Sequence, residues 1–484
     1  MANLKSLAKD TAIYGLSSII GRFINYLLVP LYTSQLSAAS GGYGVITNIY
    51  AYVALIMVLL TFGMETTFFR FANKEEESPM RVYSTALLTV GGLSLTFVIL
   101  IFALISPISS AMGYAAHPQY VWVMALTVGI DAFSCIPFSY LRYKKKPIKF
   151  AALKLFNIAL NIALNLVYFW LMDGTDVGYA FYINLLCSAV LLLCLSKELV
   201  GFPWVFDKPL FGRMFAYSWP ILILGLAGIL NQTADKILFP KIYGGSDAHV
   251  QLGIYGAASK IAMIMAMITQ AFRYAYEPLV FGAAREKNAK DMYAKAMKYF
   301  LIFTLLAFLM VIGYLDVLRH IIGRSYWEGL RVVPIVMAAE IMMGVYFNLS
   351  FWYKLIDKTI WGAWFSAAGC TVLIAINIIF VPRYGYVACA WGGFAGYLTC
   401  MVLSYIVGQR KNPIRYPMGD ILAYTLLTLV LFVGMRVANE RLSVAAALAV
   451  NTLLIALFVA YVVKRDFPLA NLPVVGKYFR KPNK

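Results

Sequence analysis

The stretch that decides the fold runs from Leu252 to Phe281 and reads LGIYGAASKIAMIMAMITQAFRYAYEPLVF. It is long and apolar enough to cross a bilayer as a helix, yet it carries Lys260, Arg273 and Glu277. On insertion scales each such charge costs roughly 2.5 to 3.5 kcal/mol near the bilayer centre. We therefore expect these side chains to face protein or a water-filled path. The simpler alternative makes Lys260 and Arg273 interfacial anchors and pairs Arg273 with Glu277, one helical turn on.

A similar pattern near the N-terminus indicates an internal repeat. A Tyr-Gly pair opens an apolar span at residues 43 and 255, and Glu65 and Glu277 each follow 22 residues after that tyrosine. The offset of 212 residues skips about six spans, an even number, so both halves share one orientation in the membrane. This is the arrangement of transporters with parallel repeats, and it predicts a cleft between the halves.

Composition excludes a soluble fold. The chain has 484 residues, 62% hydrophobic and 13% charged, with a mean hydropathy of +0.75. The net charge is +19, and the Lys and Arg residues that cause it lie in short connectors rather than in a compact basic domain. This distribution favours anionic lipid over nucleic acid as a partner. No histidine, cysteine or carboxylate grouping has catalytic or metal-ligand spacing. We therefore predict neither catalytic residues nor a metal site.

We predict an all-α polytopic membrane protein with fourteen spans. They cover residues 11–34, 43–69, 83–106, 118–141, 149–172, 177–195, 211–235, 252–281, 293–315, 329–353, 359–380, 385–408, 420–437 and 443–463. The connectors on the N-terminal side hold 29 Lys and Arg residues and the others seven, which predicts cytoplasmic termini. The repeats assign residues 1–205 and 206–412 to two six-helix lobes. Residues 413–484 supply two further spans and a basic tail.

Polar groups within the spans are the candidate functional residues. Arg22 lies about 16 Å inside the first span, with Asn25 one turn on and no acid in the same span. Its planar guanidinium suits a phosphate, although a structural ion pair with another helix is the alternative. Asn231, Gln232 and Asp235 fall near corresponding positions of the second half. These equivalent polar positions predict a shared cavity.

Four intramembrane acids are candidate carriers of a coupling proton or sodium ion: Glu65, Asp131, Glu277 and Glu340. Each of them has the alternative role of neutralising a nearby cation. No other cofactor is predicted.

Three runs of sequence resemble one known family. They are FGMETTFFRF at Phe62–Phe71, DKIL at Asp235–Leu238 and LGIYGA at Leu252–Ala257. They resemble bacterial polysaccharide and O-antigen flippases of the multidrug/oligosaccharidyl-lipid/polysaccharide (MOP) exporter superfamily. The resemblance covers essentially the whole chain and rests on the order of the runs and on the six plus six plus two spans. It implies two lobes around a central cavity that opens alternately to the two membrane faces.

The resemblance also implies a substrate and partners. Family members move undecaprenyl-diphosphate-linked sugars to the periplasmic leaflet of the inner membrane, for cell-surface polysaccharides such as lipopolysaccharide. Relatives that flip the peptidoglycan precursor have cavity arginines suited to its diphosphate. Arg22 and Arg273 stand on the matching helices here, and Lys260 is a third candidate. Expected partners are the lipid-linked oligosaccharide, membrane lipids and a glycan polymerase or ligase of the same pathway.

Three other functions remain as alternatives. A cation-coupled multidrug antiporter of the same superfamily often has an acid in its first helix, where this chain has Arg22. A membrane glycan polymerase or ligase would be expected to have a large outward loop with catalytic residues. A scaffold needs no cations at mid-membrane depth.

Overall fold

The structure, a computed structural model, describes residues 27–282, 289–356 and 358–466. Within these ranges the regular structure is entirely helical, which confirms the predicted all-α class. The α-helices are α1 (Leu28–Gln35), α2 (Gly42–Thr61), α3 (Met64–Ala72), α4 (Pro79–Ala103), α5 (Ile105–Met112), α6 (Pro118–Tyr143), α7 (Pro147–Asn165), α8 (Gly178–Cys194), α9 (Lys208–Tyr243), α10 (Ala248–Gly282), α11 (Ala289–Gly313), α12 (Leu315–Leu318), α13 (Val333–Leu349), α14 (Phe351–Leu355), α15 (Ile360–Tyr384), α16 (Tyr386–Lys411), α17 (Met418–Arg441) and α18 (Val444–Arg465). A π-helical turn, Leu166–Leu171, continues α7.

Twelve helical segments of the described chain are long and apolar enough to cross a membrane. They match twelve of the fourteen predicted spans. The sixth predicted span is the shorter apolar helix α8, and the first lies largely outside the described residues, with its end in α1. The polytopic membrane architecture is thereby confirmed. The cytoplasmic placement of the termini and the lobe boundaries at residues 205 and 412 stay predictions.

The second predicted span, over 43–69, is present as Gly42–Ala72, but its helix is interrupted. Phe62 (φ 50°) and Gly63 (φ 66°) adopt left-handed backbone conformations and separate α2 from α3. Hydropathy does not report this break because both residues are apolar or neutral. It places Glu65 in the first turn of α3, where the helix dipole favours a negative charge. Broken membrane helices are characteristic of transporter binding sites.

The chain folds as two compact units. The first comprises the described residues up to Lys260, together with Ile322–Gly329 and Thr359–Cys400. In this unit α9 packs against α2 and α15, while α6 packs against α4 and α8. Its core is a buried cluster around Met64, Phe68 and Tyr83.

The second unit comprises Ile261–Ile321, Leu330–Lys358 and the described residues from Met401 onward. Here α11 packs against α13, α17 and α18. The helices α17 and α18, which have no counterpart in the repeat, are therefore joined to the body of this unit through α11.

The Tyr-Gly pairs that indicated the repeat mark a close crossing of α2 and α10. A Cβ atom added to Gly44 would lie 1.8 Å from the His249 carbonyl oxygen. One added to Gly256 would lie 2.4 Å from Thr47 Oγ1. Glycine is required here because it lets two helix backbones approach each other closely.

Candidate functional site

A buried carboxylate, Asp235, joins α9 to α10. It is only 3% exposed, and the Tyr255 hydroxyl donates a hydrogen bond of 2.7 Å to its Oδ2. The Lys236 ammonium lies 3.1 Å from Oδ1 and 3.2 Å from Oδ2, and also donates to the Gln232 carbonyl oxygen at 2.9 Å. The charge of Asp235 is therefore compensated by its immediate neighbours.

Lys260 follows on α10 without such a partner. It is half-buried and close enough to Lys236 for the two ammonium groups to repel each other. Among the described residues no carboxylate forms an ion pair with it. It lies twelve residues after Ala248, where α10 begins, which corresponds to about 18 Å of helix. Asp235, Lys236 and Lys260 together thus carry one uncompensated positive charge.

The other two predicted polar residues of α9 differ in their surroundings. Asn231 is buried, and its amide donates to the Ser366 carbonyl oxygen at 2.7 Å and to the Ala227 carbonyl oxygen at 2.9 Å. It therefore ties α9 to α15. The Gln232 side chain is exposed.

Two further charged residues, Asp131 and Arg142, lie on one face of α6 together with Cys135 and Phe138. We call this face the α6 stripe. The spacing of these residues, which is four, three and four, places them on successive turns of one helix face. The Lys154 ammonium, from α7, sits 4.1 Å from the centre of the Phe138 ring. Lys154 and Asp131 are close enough to interact electrostatically.

Glu65 completes this group from the start of α3. Its carboxylate interacts electrostatically with Arg142 and Lys154 and lies beside the Cys135 thiol. Glu65 and Arg142 are exposed, whereas Lys154 and Asp131 are half-buried. Charges that face lipid inside a membrane are strongly unfavourable, so we expect these four side chains to face protein or water.

The remaining predicted residues are not gathered into either group. The Arg273 guanidinium lies 5.3 Å from the centre of the Phe347 ring, a cation–π geometry. Glu340 is half-buried on α13. Arg22 and Asn25 lie outside the described residues, and so does the side chain of Glu277. Their predicted roles stay predictions.

Sequence reasoning missed Lys154. The signal was available, because Lys154 falls inside the predicted fifth span, seven residues after α7 begins at Pro147. The dense basic connector just before it makes this lysine look like one more interfacial charge. Only the packing of α7 against α6 brings its ammonium to the α6 stripe.

The fold is shared with solved membrane transporters. The lipid II flippase MurJ, in an inward closed conformation, superposes with a TM-score of 0.74 at 12% identity, covering 93% of this chain and 98% of that chain. A multidrug resistance MATE family transporter of the MOP superfamily, in its inward-facing conformation, gives 0.65 at 14% identity, over 83% of this chain and 94% of that chain. The chain thus shares the fold of these two proteins.

Residues 39–331 match the family model described as polysaccharide biosynthesis protein, which is more than half of the chain. The chain therefore belongs to the polysaccharide biosynthesis protein family, as the sequence resemblance indicated. A relative at 20% identity over 436 residues is an Lsg locus protein of Haemophilus influenzae, aligned over 84% of this chain and 98% of the relative.

Proposed function

We propose that this protein is a flippase for an undecaprenyl-diphosphate-linked oligosaccharide. It moves this lipid from the cytoplasmic to the periplasmic leaflet of the bacterial inner membrane by alternating access of a cationic cavity. The product would supply a glycan polymerase or ligase of the same pathway. The membership of the polysaccharide biosynthesis family and the flippase-like fold support this proposal.

The observation that carries the proposal is Lys260. A cation this deep in a membrane helix needs a compensating anion, and Asp235 already binds the neighbouring Lys236 as well as Tyr255. A diphosphate is a suitable anion because charge-assisted hydrogen bonds to its oxygens are short and strong. Arg22 and Arg273 remain candidate contacts for the same group.

The same observation weighs against a multidrug antiporter, the second function compatible with the fold. A site for cationic drugs needs an uncompensated acid. Asp235, Lys236 and Lys260 form one group between α9 and α10. In this group Asp235 is paired with Lys236, whereas Lys260 has no acid partner among the described residues. The group therefore favours an anionic substrate.

Substitution of Lys260 tests this function. We expect Lys260→Ala to lower the affinity for undecaprenyl diphosphate by roughly ten- to a hundredfold, because one charge-assisted contact is lost. Lys260→Arg should retain most of the affinity. Transport of a fluorescent undecaprenyl-diphosphate sugar by proteoliposomes, at matched protein levels, should fall in parallel.

Lys241→Ala is the matched control, since Lys241 is an exposed lysine in the last turn of α9. It should leave affinity and transport unchanged. Transport of a cationic dye but not of the lipid-linked sugar would establish the antiporter instead. Full lipid transport by Lys260→Ala would show that Lys260 does not bind the substrate.

A further inference from the structure

We propose that Lys154 and Arg142 form a second binding site for the phosphates of the lipid carrier, and that Glu65 and Asp131 are their counterions when no substrate is bound. This inference rests on the proposed function and deepens it. It assigns an anion site to the first compact unit, apart from Lys260.

At this site the Lys154 ammonium is held only by weak contacts. The Lys154 ammonium lies over the Phe138 ring, where the electron-rich face holds a cation weakly. Among the described residues no carboxylate forms a direct ion pair with it, although Glu65 and Asp131 lie within electrostatic reach. An incoming phosphate would therefore not have to break a short ion pair to reach Lys154.

The four charged groups described at this site sum to zero without a substrate. Lys154 and Arg142 are balanced by Glu65 and Asp131. The other groups nearby are the thiols of Cys135 and Cys187, the phenol of Tyr50 and the hydroxyl of Ser188. Thiols and phenols are ordinarily neutral near pH 7, so they do not alter this balance.

A bound diphosphate changes that balance. When its oxygens accept hydrogen bonds from Lys154 and Arg142, these cations compensate the phosphates and compensate the two nearby carboxylates less. A negative charge held in a poorly hydrated site favours protonation, so each carboxylate can take up one proton from solvent and become neutral. Substrate binding should then be accompanied by uptake of one to two protons and should strengthen as the pH falls.

A proton suits this site better than a metal ion. Two cations of the protein already lie close to the carboxylates and would repel a third, whereas a proton on a carboxylate removes its charge. The coupling ion predicted for Glu65 and Asp131 would then be a proton. The test includes sodium as a separate arm.

The experiment measures binding of undecaprenyl diphosphate to the purified full chain in detergent. Affinity is recorded between pH 5.5 and 8, and proton uptake is followed with an indicator dye in weakly buffered solution. The wild type should take up protons on binding. Lys154→Gln should bind about ten- to a hundredfold more weakly, while Lys154→Arg should bind nearly normally and report on folding.

The double variant Glu65→Gln/Asp131→Asn distinguishes a counterion role from a structural role. It should bind the lipid at least as tightly as the wild type, without proton uptake, because the two acids that interact with Lys154 no longer compete with the phosphates. The exposed acid Glu440 supplies the control, since Glu440→Gln should change neither property.

The outcomes separate this inference from the proposed function. Failure of the wild-type protein to bind undecaprenyl diphosphate would overturn both. Binding that weakens in Lys260→Ala but not in Lys154→Gln would overturn only the second site. Equal proton uptake by the double variant, or binding that requires sodium rather than protons, would overturn the role of the carboxylates.

Discussion

At the scale of single residues, glycines set how closely α2 and α10 approach. We predict that Gly44→Ala destabilises the protein by about 1–3 kcal/mol, because its Cβ would lie 1.8 Å from the backbone oxygen of His249 and the helices must separate. The measurement is the thermal midpoint in detergent, followed by fluorescence-detected size-exclusion chromatography.

Gly228, in the interior of α9, is the matched control for that substitution. A Cβ at Gly228 meets no described atom within 4 Å, so Gly228→Ala should be neutral or slightly stabilising through higher helix propensity. Equal thermal midpoints for Gly44→Ala and the wild type would show that α2 and α10 leave room for a Cβ atom at residue 44.

At the scale of elements, a group of charges fastens α17 and α18 to α11. The Lys298 ammonium lies 2.6 Å from Asp420 Oδ2 of α17 and also contacts Asp466, just after α18. Arg465 binds Asp420 as well. Farther along, the Asn451 amide of α18 donates to the Gly313 carbonyl oxygen of α11 at 2.9 Å. Helix α18 is thus held near its end and again close to its first turns.

Substitution of Lys298 tests how much this group of charges contributes to the stability of the protein. We predict that Lys298→Met lowers stability by about 2 kcal/mol, because Asp466 loses its cation and Asp420 keeps only Arg465. Adding Asp466→Asn should restore part of the loss. The thermal midpoint in detergent measures both effects.

The exposed Arg436–Glu440 pair of α17, at 3.6 Å, provides the comparison. Arg436→Met should cost less than about 1 kcal/mol, since solvent screens exposed pairs. A loss in Lys298→Met no larger than in Arg436→Met would mean that the helices are held by apolar packing alone.

At the scale of the whole molecule, contacts within the first compact unit connect segments from both halves of the sequence. The Tyr326 hydroxyl donates to the Leu36 carbonyl oxygen at 2.7 Å, and the Ala38 amide donates to Ser325 Oγ at 3.1 Å. By the predicted topology these contacts lie on the periplasmic side. Under the proposed flippase function, we expect these contacts to separate when the cavity opens to the periplasm.

A cross-link tests that requirement. We predict that oxidation of an Ala38→Cys/Ser325→Cys variant stops transport of the lipid-linked sugar in proteoliposomes and that a reducing agent restores it. Each single variant, treated with the same oxidant, should transport normally. Undiminished transport by fully cross-linked protein would show that these segments stay together throughout the cycle.

Local properties of the chain account for what the sequence predicted correctly. The positions of the apolar spans and the all-α class follow from hydropathy and spacing, which each segment carries by itself. The break at Phe62–Gly63 escaped prediction because a backbone dihedral angle in an apolar run leaves no trace in hydropathy.

Which charges the membrane must accommodate can be seen from the chain alone, and they include Lys260, Asp235, Glu65 and Asp131. Which of them compensate one another depends on how the helices pack. Asp235 pairs with Lys236 and accepts a hydrogen bond from Tyr255, Lys154 lies near the acids of the first unit, and Lys260 has no acid partner among the described residues. The physical reason is that charge compensation depends on distances between side chains of different helices, and these distances are fixed by helix rotation and packing.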